Sequence, residues 1–372
     1  WNHTGEMLAL CPGSNELYIY ENCHHSDPNK WIKAHVLKEH DMLISGISWS
    51  DRNNKIVTCS HDRNAFVWKY DSSTNQWVPT LCVLRIDRAA TYVQWSPDGA
   101  KFAVGSSNKT IPVCYLDSSQ SSDWYVSRII KRHKSTVVKL AWHPNSQILA
   151  TVSSDRRCRI ISATMNEIDR NADSGPFASH VPFGEVYPNG EILCNSWANA
   201  VDWNSSGSLL AVASHDSTIQ IVDCTSNCQI LHTIMYNSLP LNEIRFVGEE
   251  GIVGVGHDME PLLFSSAGSG KWAMKSKIDS ESLNSPAKRG SANSVTKVAS
   301  ARAMFQAKTS RGEDSANATQ SSFKTTHRNV ITHLQVRPNN SSYQISTTGP
   351  DGLIVFWEIG SLGLNVGSMS IR

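Results

Sequence analysis

Residues 44–70 read ISGISWSDRNNKIVTCSHDRNAFVWKY, and this stretch contains the pattern that decides the fold. Three apolar segments are separated by two polar turns, and the first segment ends in the aromatic Trp49. In the third segment Phe66, Trp68 and Tyr70 occupy alternate positions, which is the two-residue period of a β-strand. The stretch therefore predicts three short antiparallel strands joined by tight turns.

The same pattern recurs along the chain. It is clear at 90–116, 137–162, 198–223 and 331–359, degenerate at 241–264 and truncated at 1–21. The polar residue of the second turn recurs in steps of 47, 46, 47, 61, 42 and 93, at Asn15, Asp62, Asn108, Asp155, Asp216, Asp258 and Asp351. The aromatic that ends the first segment gives steps of 46, 47, 61 and 43, at Trp49, Trp95, Trp142, Trp203 and Phe246. A period in the forties with three or four strands per unit predicts one all-β domain over 1–372, a seven-bladed β-propeller.

Composition limits the class of protein. The chain has 372 residues, of which 40% are hydrophobic and 18% charged, so it can fill a core. Its 34 basic and 33 acidic residues argue against a body that binds nucleic acid or acidic membranes over its whole surface. No run of eighteen apolar residues exists, and nine scattered cysteines do not form a disulfide framework. These features favour a reducing cytosol or nucleus.

The copies resemble WD repeats, a family in which a His, a Ser or Thr, an Asp and a Trp hydrogen-bond within a blade. The resemblance implies two such structural tetrads, one formed by His40, Ser60, Asp62 and Trp68 and one formed by His327, Ser346, Asp351 and Trp357. The step from Asp to Trp is six in both. In the middle blades Ile161, Val222 and Phe264 stand where the Trp would be, so no complete tetrad is expected there.

Two insertions interrupt the period. The first, at 166–190, is rich in Pro and Gly and is predicted to be a surface loop. The second, at 271–328, lies between blades six and seven and is predicted to be a flexible basic arm. It has eleven basic and four acidic residues, a charge of +7, which leaves 1 − 7 = −6 for the remainder. Such an asymmetry is typical of an interaction segment.

A short amphipathic helix is predicted at about 294–308 inside this arm. Val295, Val298, Arg302 and Phe305 recur at steps of three and four and so share one face. One interpretation is that the helix packs against a blade. The interpretation that we favour is a docking element for a partner, because the flanking segments are polar and the arm is charged.

A narrower resemblance covers almost the whole chain in order. The phrases HDRNAFVW (61–68), LRIDRAATYVQWSP (84–97), VPFGEVY (181–187) and DMEPLLF (258–264) are similar to those of the WD-repeat subunit of the actin-related protein 2/3 complex. The resemblance implies a cytoplasmic, non-enzymatic subunit of the actin cytoskeleton, in an assembly that nucleates branched actin filaments. It implies contacts with actin-related proteins, small scaffold subunits, the actin filament and the acidic tails of nucleation-promoting factors.

The resemblance also implies that the inserted helix reaches toward the mother filament. We therefore expect five residues of the arm to contact actin, namely Val295, Lys297, Val298, Arg302 and Phe305. Val298 and Phe305 would be apolar anchors, because aromatic and aliphatic side chains in a groove dominate such contacts. Arg302 and Lys297 would steer the arm toward an acidic surface.

No motif predicts catalysis, a cofactor or a metal. His61 and the aspartate after it recur at a turn position of the period, so a structural role is expected. The segment 23–25 (Cys-His-His) has no second ligand pair at zinc spacing, and neither do Cys224 and Cys228, which are interpreted as strand and turn residues. Residues 268–271 (GSGK) lack the remainder of a phosphate-binding loop.

Two other functions stay open from the residues alone. A propeller with a basic arm could be an adaptor that binds nucleic acid or histones, and a propeller could also be a hydrolase with acids clustered at its axis. One prediction concerns ring closure: because Trp1 aligns with the end of a first strand, we expect an upstream segment to pair with the strand at Leu353–Glu358.

Overall fold

The structure is a computed structural model that describes residues 1–25, 30–117, 119, 123–169, 181–225, 227–268, 270–279, 325–337 and 343–359, and the backbone of 368–371. The described residues form seven antiparallel sheets, six of four strands and one of three. The sheets are the blades of a seven-bladed β-propeller, which confirms the fold predicted from the period.

The strands follow the chain blade by blade. Blades one to four contain β1 (Leu8–Leu10), β2 (Leu17–Glu21), β3 (Ile32–Leu37); β4 (Ile44–Trp49), β5 (Ile56–Ser60), β6 (Asn64–Asp71), β7 (Gln76–Val83); β8 (Ala90–Trp95), β9 (Lys101–Ser106), β10 (Ile111–Leu116), β11 (Tyr125–Ile130); and β12 (Val137–Trp142), β13 (Ile148–Ser153), β14 (Arg157–Ser162), β15 (Val186–Leu193). Blades five to seven contain β16 (Ala198–Trp203), β17 (Leu209–Ser214), β18 (Thr218–Asp223), β19 (Gln229–Met235); β20 (Leu241–Val247), β21 (Gly251–Gly256), β22 (Leu262–Ser266), β23 (Trp272–Lys277); and β24 (His333–Arg337), β25 (Tyr343–Thr348), β26 (Ile354–Ile359), β27 (Ser368–Ile371).

The first strand of each four-stranded blade lies at the axis and the fourth lies outermost, since the first strands of successive blades contact one another. The three strands of blade one align by the period with the second to fourth strands of the other blades. Because neighbouring strands are antiparallel, the links from a fourth strand to the next first strand lie on the same side as the turns between second and third strands. We call this side the connection face.

The period is visible in the backbone of these turns. The residue after the repeated Asp or Asn has a positive φ in six blades, at Arg63, Lys109, Arg156, Ser217, Met259 and Gly352. Positive φ is uncommon for residues other than glycine and marks tight turns. The same local conformation therefore recurs at the same point of the repeat although the residue type changes.

The core lies between the blades. One cluster joins buried residues of blades four and five, including Ile160, Trp203 and Leu210, and equivalent clusters lie between other neighbours. Two of the repeated tryptophans also bind the preceding blade: Trp142 Nε1 donates to the carbonyl of Gln94 at 3.0 Å, and Trp203 Nε1 donates to that of Ala141 at 3.2 Å. A single blade has two apolar faces, so it is stabilised only by neighbours on both sides.

The predicted insertion boundaries are wrong at their ends. The loop predicted at 166–190 overlaps β15, and Tyr187 of that strand is buried in the core between blades four and five. The arm predicted at 271–328 overlaps β23, the outermost strand of blade six. The sequences of these strands, VYPNGEIL and WAMKSK, contain Pro, Asn, Gly and Lys, which are uncommon in strands, so their composition does not indicate either strand. The helix predicted at 294–308 lies outside the described residues.

The edge of blade seven is paired differently from the prediction. The strand expected to pair with an upstream segment is β26, and in the structure it pairs antiparallel with β27 from the C-terminal end of the chain. The sequence pattern did not indicate β27, because SMSI is short and lies in a stretch rich in Gly and Ser.

Candidate functional site

Blade two contains a buried hydrogen-bonded network at the connection face. His40 Nδ1 contacts Asp62 Oδ2 at 2.7 Å, and His40 Nε2 contacts Thr58 Oγ1 at 2.9 Å. Trp68 Nε1 donates to the same threonine hydroxyl at 3.0 Å. The predicted hydroxyl partner, Ser60, is wrong: its Oγ donates to the carbonyl of Met42 at 2.9 Å and accepts from the Asp62 amide.

Blade seven repeats the arrangement. His327 contacts Asp351 at 2.8 Å and Thr347 Oγ1 at 2.8 Å, and Trp357 Nε1 donates to Thr347 at 2.9 Å. The predicted Ser346 is again not the partner, since its hydroxyl accepts from Trp1 Nε1 at 3.0 Å. In both blades the hydroxyl comes from the Thr four residues before the Asp, and the imidazole ring bridges these two side chains.

A third network, which the sequence argument missed, lies in blade four. His133 contacts Asp155 at 3.2 Å and Thr151 Oγ1 at 2.8 Å, while Arg159 Nη1 donates to Asp155 at 2.8 Å. No tryptophan takes part, which is why a search for the Asp-to-Trp step did not find it. A Thr four residues before the Asp is the shared signal of all three networks.

The electrostatics of these networks fit a structural role. Burial lowers the pKa of His40 and of His133, so both rings are neutral near pH 7. Burial alone would raise the pKa of Asp155, but hydrogen bonds from His133, the Lys134 amide and Arg159 together hold it well below its ordinary range. Each network is nearly dry and its partners are internal, so it lacks the open position that a catalytic site needs.

The first strands line the central channel, and most of them carry a β-bulge there. The bulged side chain hydrogen-bonds to the next blade: Ser45 Oγ donates to Ala90 O at 2.7 Å and Thr91 Oγ1 donates to Val137 O at 2.6 Å. Asn199 repeats this toward the carbonyl of Leu241 at 3.2 Å. These side chains also border a cavity of about 330 Å³ at the channel mouth. The bulges thus link neighbouring blades around the axis.

A charged cluster crosses the channel below this cavity. Glu243 of blade six accepts from Arg245 Nη2 at 2.6 Å and lies 3.0 Å from Lys139 Nζ of blade four. Its Oε2 also accepts from the Leu334 amide of blade seven at 3.1 Å. Arg245 Nη2 donates to Tyr92 OH of blade three at 2.8 Å. Four blades are therefore joined through one buried carboxylate and its partners.

Burial shapes the protonation of this cluster. Burial would raise the pKa of Glu243, but Lys139 and Arg245 hold it far below its ordinary range. Burial lowers the pKa of Lys139. Asp202 lies 3.7 Å from Arg245, and burial nevertheless raises its pKa to about 6. The cluster thus contains one ionised carboxylate, Glu243, between two cations, and a second carboxylate, Asp202, whose pKa is raised.

The base of the basic arm is fixed at the connection face. Asp279 is fully buried, and its carboxylate accepts from the Thr326 amide at 2.6 Å and from Thr326 Oγ1 at 3.2 Å. Just before Asp279, the Ile278 amide donates to Pro261 O at 2.9 Å, and just after Thr326 comes the buried His327 of the blade-seven network. Asp279 and Thr326, 47 residues apart in the chain, are therefore held together at one point of the connection face.

The connection face also carries large exposed apolar side chains, which the sequence argument did not single out. Met42, Trp197 and Leu239, in links between blades, are each more than half exposed. Trp197 packs against His215 with ring centroids 5.5 Å apart. Exposed apolar groups of this size are a common mark of a surface that binds protein partners.

The residues expected to contact actin, Val295, Lys297, Val298, Arg302 and Phe305, lie outside the described residues. In the part of the chain that is described, no three His, Cys, Asp or Glu side chains are grouped to hold a metal ion. Over the same residues, no helix is long and apolar enough to cross a membrane.

Comparison with known proteins gives a consistent result. The WD domain, G-beta repeat family matches residues 31–69, 124–162 and 189–223. Each match includes residues of the outermost strand of one blade and the three inner strands of the next, so the sequence repeat is offset from the blade.

Relatives match over nearly the full chain. Actin-related protein 2/3 complex subunit 1B of Arabidopsis thaliana is 37% identical over 99% of this chain and 95% of its own length. Subunit 1A-B of the same complex from Xenopus laevis is 36% identical over 97% and 93%, and subunit 1 from Schizosaccharomyces pombe is 34% identical over 96% and 95%. None of these names is that of an enzyme. On the fold, the repeats and this similarity, the chain belongs to the family of actin-related protein 2/3 complex subunit 1.

Proposed function

We propose that this chain is a non-enzymatic scaffold of an actin-nucleating complex that forms branched filaments, and that its basic arm contacts actin. Its partners are the actin-related proteins and small scaffold subunits of the same complex, the actin filament, and the acidic tails of nucleation-promoting factors. It acts in the cytoplasm at the actin cytoskeleton. Family membership supports the assembly, and the arm supports the actin contact.

The clamp between Asp279 and Thr326 is the observation that carries the role of the arm. Both ends of the segment 280–324 are held by a buried carboxylate beside the blade-seven network. A segment with fixed ends searches a small volume around one point, so its local concentration at a nearby surface is high. The base of the arm is therefore held rigidly by the propeller, which is what an arm that presents a contact surface to a partner needs.

Charge supports the kind of partner. The segment 280–324 contains seven basic and three acidic residues, so its charge is 7 − 3 = +4, while the remainder of the chain carries 1 − 4 = −3. A cationic segment favours an acidic protein surface, and apolar anchors supply affinity once it docks. Val295, Val298, Arg302 and Phe305 would form the docking stripe, with Lys297 beside it.

The test compares the complex assembled with wild-type chain and with the double variant Val298→Ala/Phe305→Ala. Branch formation and cosedimentation with filaments should fall several-fold in the double variant, because an aromatic anchor supplies a large share of such a contact. The thermal unfolding midpoint of the chain should not change. Met304→Ala is the matched control, since Met304 lies off the stripe and should leave branching intact.

Two outcomes would overturn the actin contact. Full branching activity in the double variant would refute the docking stripe, and a lower unfolding midpoint would mean that the helix packs against a blade. The adaptor function is a measurable alternative: salt-sensitive binding of duplex DNA or histones by the chain, lost when Lys297 and Arg302 are replaced, would favour it.

A further inference from the structure

Two cysteines face each other at the end of the hairpin formed by β18 and β19. The register pairs Val222 with Ile230 and Asp223 with Gln229. One further step of the same antiparallel register places Cys224 directly opposite Cys228. Directly opposed residues have Cα atoms about 4.5–5.5 Å apart, which falls inside the range of about 4.4–6.8 Å that a disulfide spans.

Both side chains turn to the same side of the hairpin. Cys224 is fully buried and Cys228 is 7% exposed, and both belong to the core cluster between blades four and five. Cys158 and Cys194 belong to that cluster too, so four of the nine cysteines of the chain lie at the interface between blades four and five. Of these four, only Cys224 and Cys228 are opposed across a single hairpin.

Described residues on either side of the turn between the two cysteines are held by hydrogen bonds. The Asp223 carboxylate accepts from the Thr225 amide at 2.8 Å, and Asn227 Oδ1 accepts from Asn189 Nδ2 of blade four at 2.8 Å. Asn227 and Cys228 both have positive φ, at 68° and 53°. A cysteine in this region of the backbone map is uncommon.

The two thiols also affect each other chemically. A hydrogen bond from Cys224 lowers the pKa of Cys228 and raises that of Cys224, so Cys228 is the thiol that ionises first. By contrast, burial raises the pKa of Cys59 and of Cys82 to about 12. Since the thiolate is the reactive form, Cys228 has the character of an attacking cysteine, with Cys224 as the resolving one.

We propose that Cys224 and Cys228 are a redox modification site, which a low-molecular-weight disulfide of the glutathione class oxidises to an intramolecular disulfide. The Cys228 thiolate attacks one sulfur of the small disulfide, forms a mixed disulfide and releases one thiolate. Cys224 then loses its proton and attacks Cys228 Sγ, which forms the Sγ–Sγ bond between the two cysteines, breaks the mixed disulfide bond and releases the other small thiolate. Two protein thiols are oxidised and one small disulfide is reduced to two thiols.

The test equilibrates the full-length chain in buffers of increasing oxidised-to-reduced glutathione ratio, traps free thiols by alkylation and digests with a protease that cuts before Asp. This digestion separates the candidates: 155–168 contains Cys158, 173–201 contains Cys194, and 223–257 contains both Cys224 and Cys228. Double alkylation of the 223–257 peptide should fall at least about tenfold, while the Cys158 peptide stays alkylated. The unalkylated 223–257 peptide should be two hydrogen atoms lighter than its reduced form.

The variants Cys224→Ser and Cys228→Ser give the second measurement, with Cys114→Ser, a buried thiol of blade three, as control. The mass loss should vanish in both test variants and persist in the control. In Cys224→Ser the mixed disulfide with glutathione should accumulate on Cys228. The proposal would be overturned if Cys224 and Cys228 stayed alkylated at every glutathione ratio, or if a disulfide joined either of them to Cys158 or Cys194. Both results are measured on the wild-type chain, so they do not depend on whether the variants fold.

Discussion

Replacing Glu243 tests whether the cross-channel cluster stabilises the ring. Glu243→Gln keeps the size of the side chain but removes the charge that compensates Lys139 and Arg245. Glu243 is 1% exposed and Lys139 Nζ lies 3.0 Å away, so the two cations stay in a dry site without their carboxylate. Breaking a buried ion pair on one side costs about 3–5 kcal/mol. We expect Glu243→Gln to lower the free energy of unfolding by an amount in that range.

The assay is a double-mutant cycle of urea unfolding at pH 7. Lys139→Met alone should cost less than Glu243→Gln, because Glu243 keeps its bond to Arg245 at 2.6 Å. The double variant should be more stable than the sum of the single losses predicts, with a coupling of about 1–3 kcal/mol. The coupling measures the pair across the channel and not the loss of side-chain volume.

The matched control is the exposed pair of Arg132 and Glu185, whose side chains are 39% and 50% exposed. Glu185→Gln should change stability by less than about 1 kcal/mol, as for most surface pairs. A coupling near zero between Glu243 and Lys139, or a Glu243→Gln variant as stable as this control, would refute the reasoning that the buried carboxylate joins the blades.

Two further predictions concern the buried networks. Thr58→Val leaves one buried donor, Trp68 Nε1, and one buried acceptor, the Nε2 of neutral His40, without partners. It should cost about 2–5 kcal/mol in urea unfolding, whereas Thr80→Val on the outer strand β7 should stay within about 0.5 kcal/mol; equal effects would contradict the assigned hydroxyl. The free energy of unfolding should also fall as the pH drops from 7.5 to 5.5. Burial lowers the pKa of three histidines below the ordinary 6.5, namely His40, His133 and His143. At these three positions the unfolded chain therefore takes up protons before the folded chain does, which favours unfolding. Asp202 has a raised pKa of about 6, so in this pH range it takes up a proton in the folded chain and stabilises it as the pH falls. The loss of stability should therefore be steeper in Asp202→Asn. A stability that does not change with pH in either chain would contradict the neutral, buried state of the three histidines.

The sequence was sufficient for the fold because the repeat is redundant. The same turn and the same aromatic recur in step, so the loss of a residue in one blade does not hide the period. Single networks have no such redundancy. The search for a Trp six residues after Asp found Asp62 and Asp351 but missed Asp155, where Arg159 takes part instead. A fixed residue type was a weaker guide than the spacing between Thr and Asp.

The outer strands and the channel could not be predicted for a different reason. The fourth strands β15 and β23 are polar on their exposed face and were assigned to insertions. Beyond its own blade, Glu243 has partners in two other blades, up to 104 residues away at Lys139, and no local pattern records such a contact. Closure of the ring creates these neighbours, so only the assembled fold reveals them.

The offset between sequence repeat and blade has a consequence for how propellers of this kind change size. One repeat supplies the outermost strand of one blade and the inner three strands of the next. If a whole repeat were duplicated or deleted, the following repeat would still bring an outermost strand to the blade before it, and the neighbouring sheets would keep all of their strands. Gain or loss of repeats therefore does not expose the edge of a third strand that was paired before. Blade number is limited instead by the curvature at which the wedge-shaped blades close into a circle.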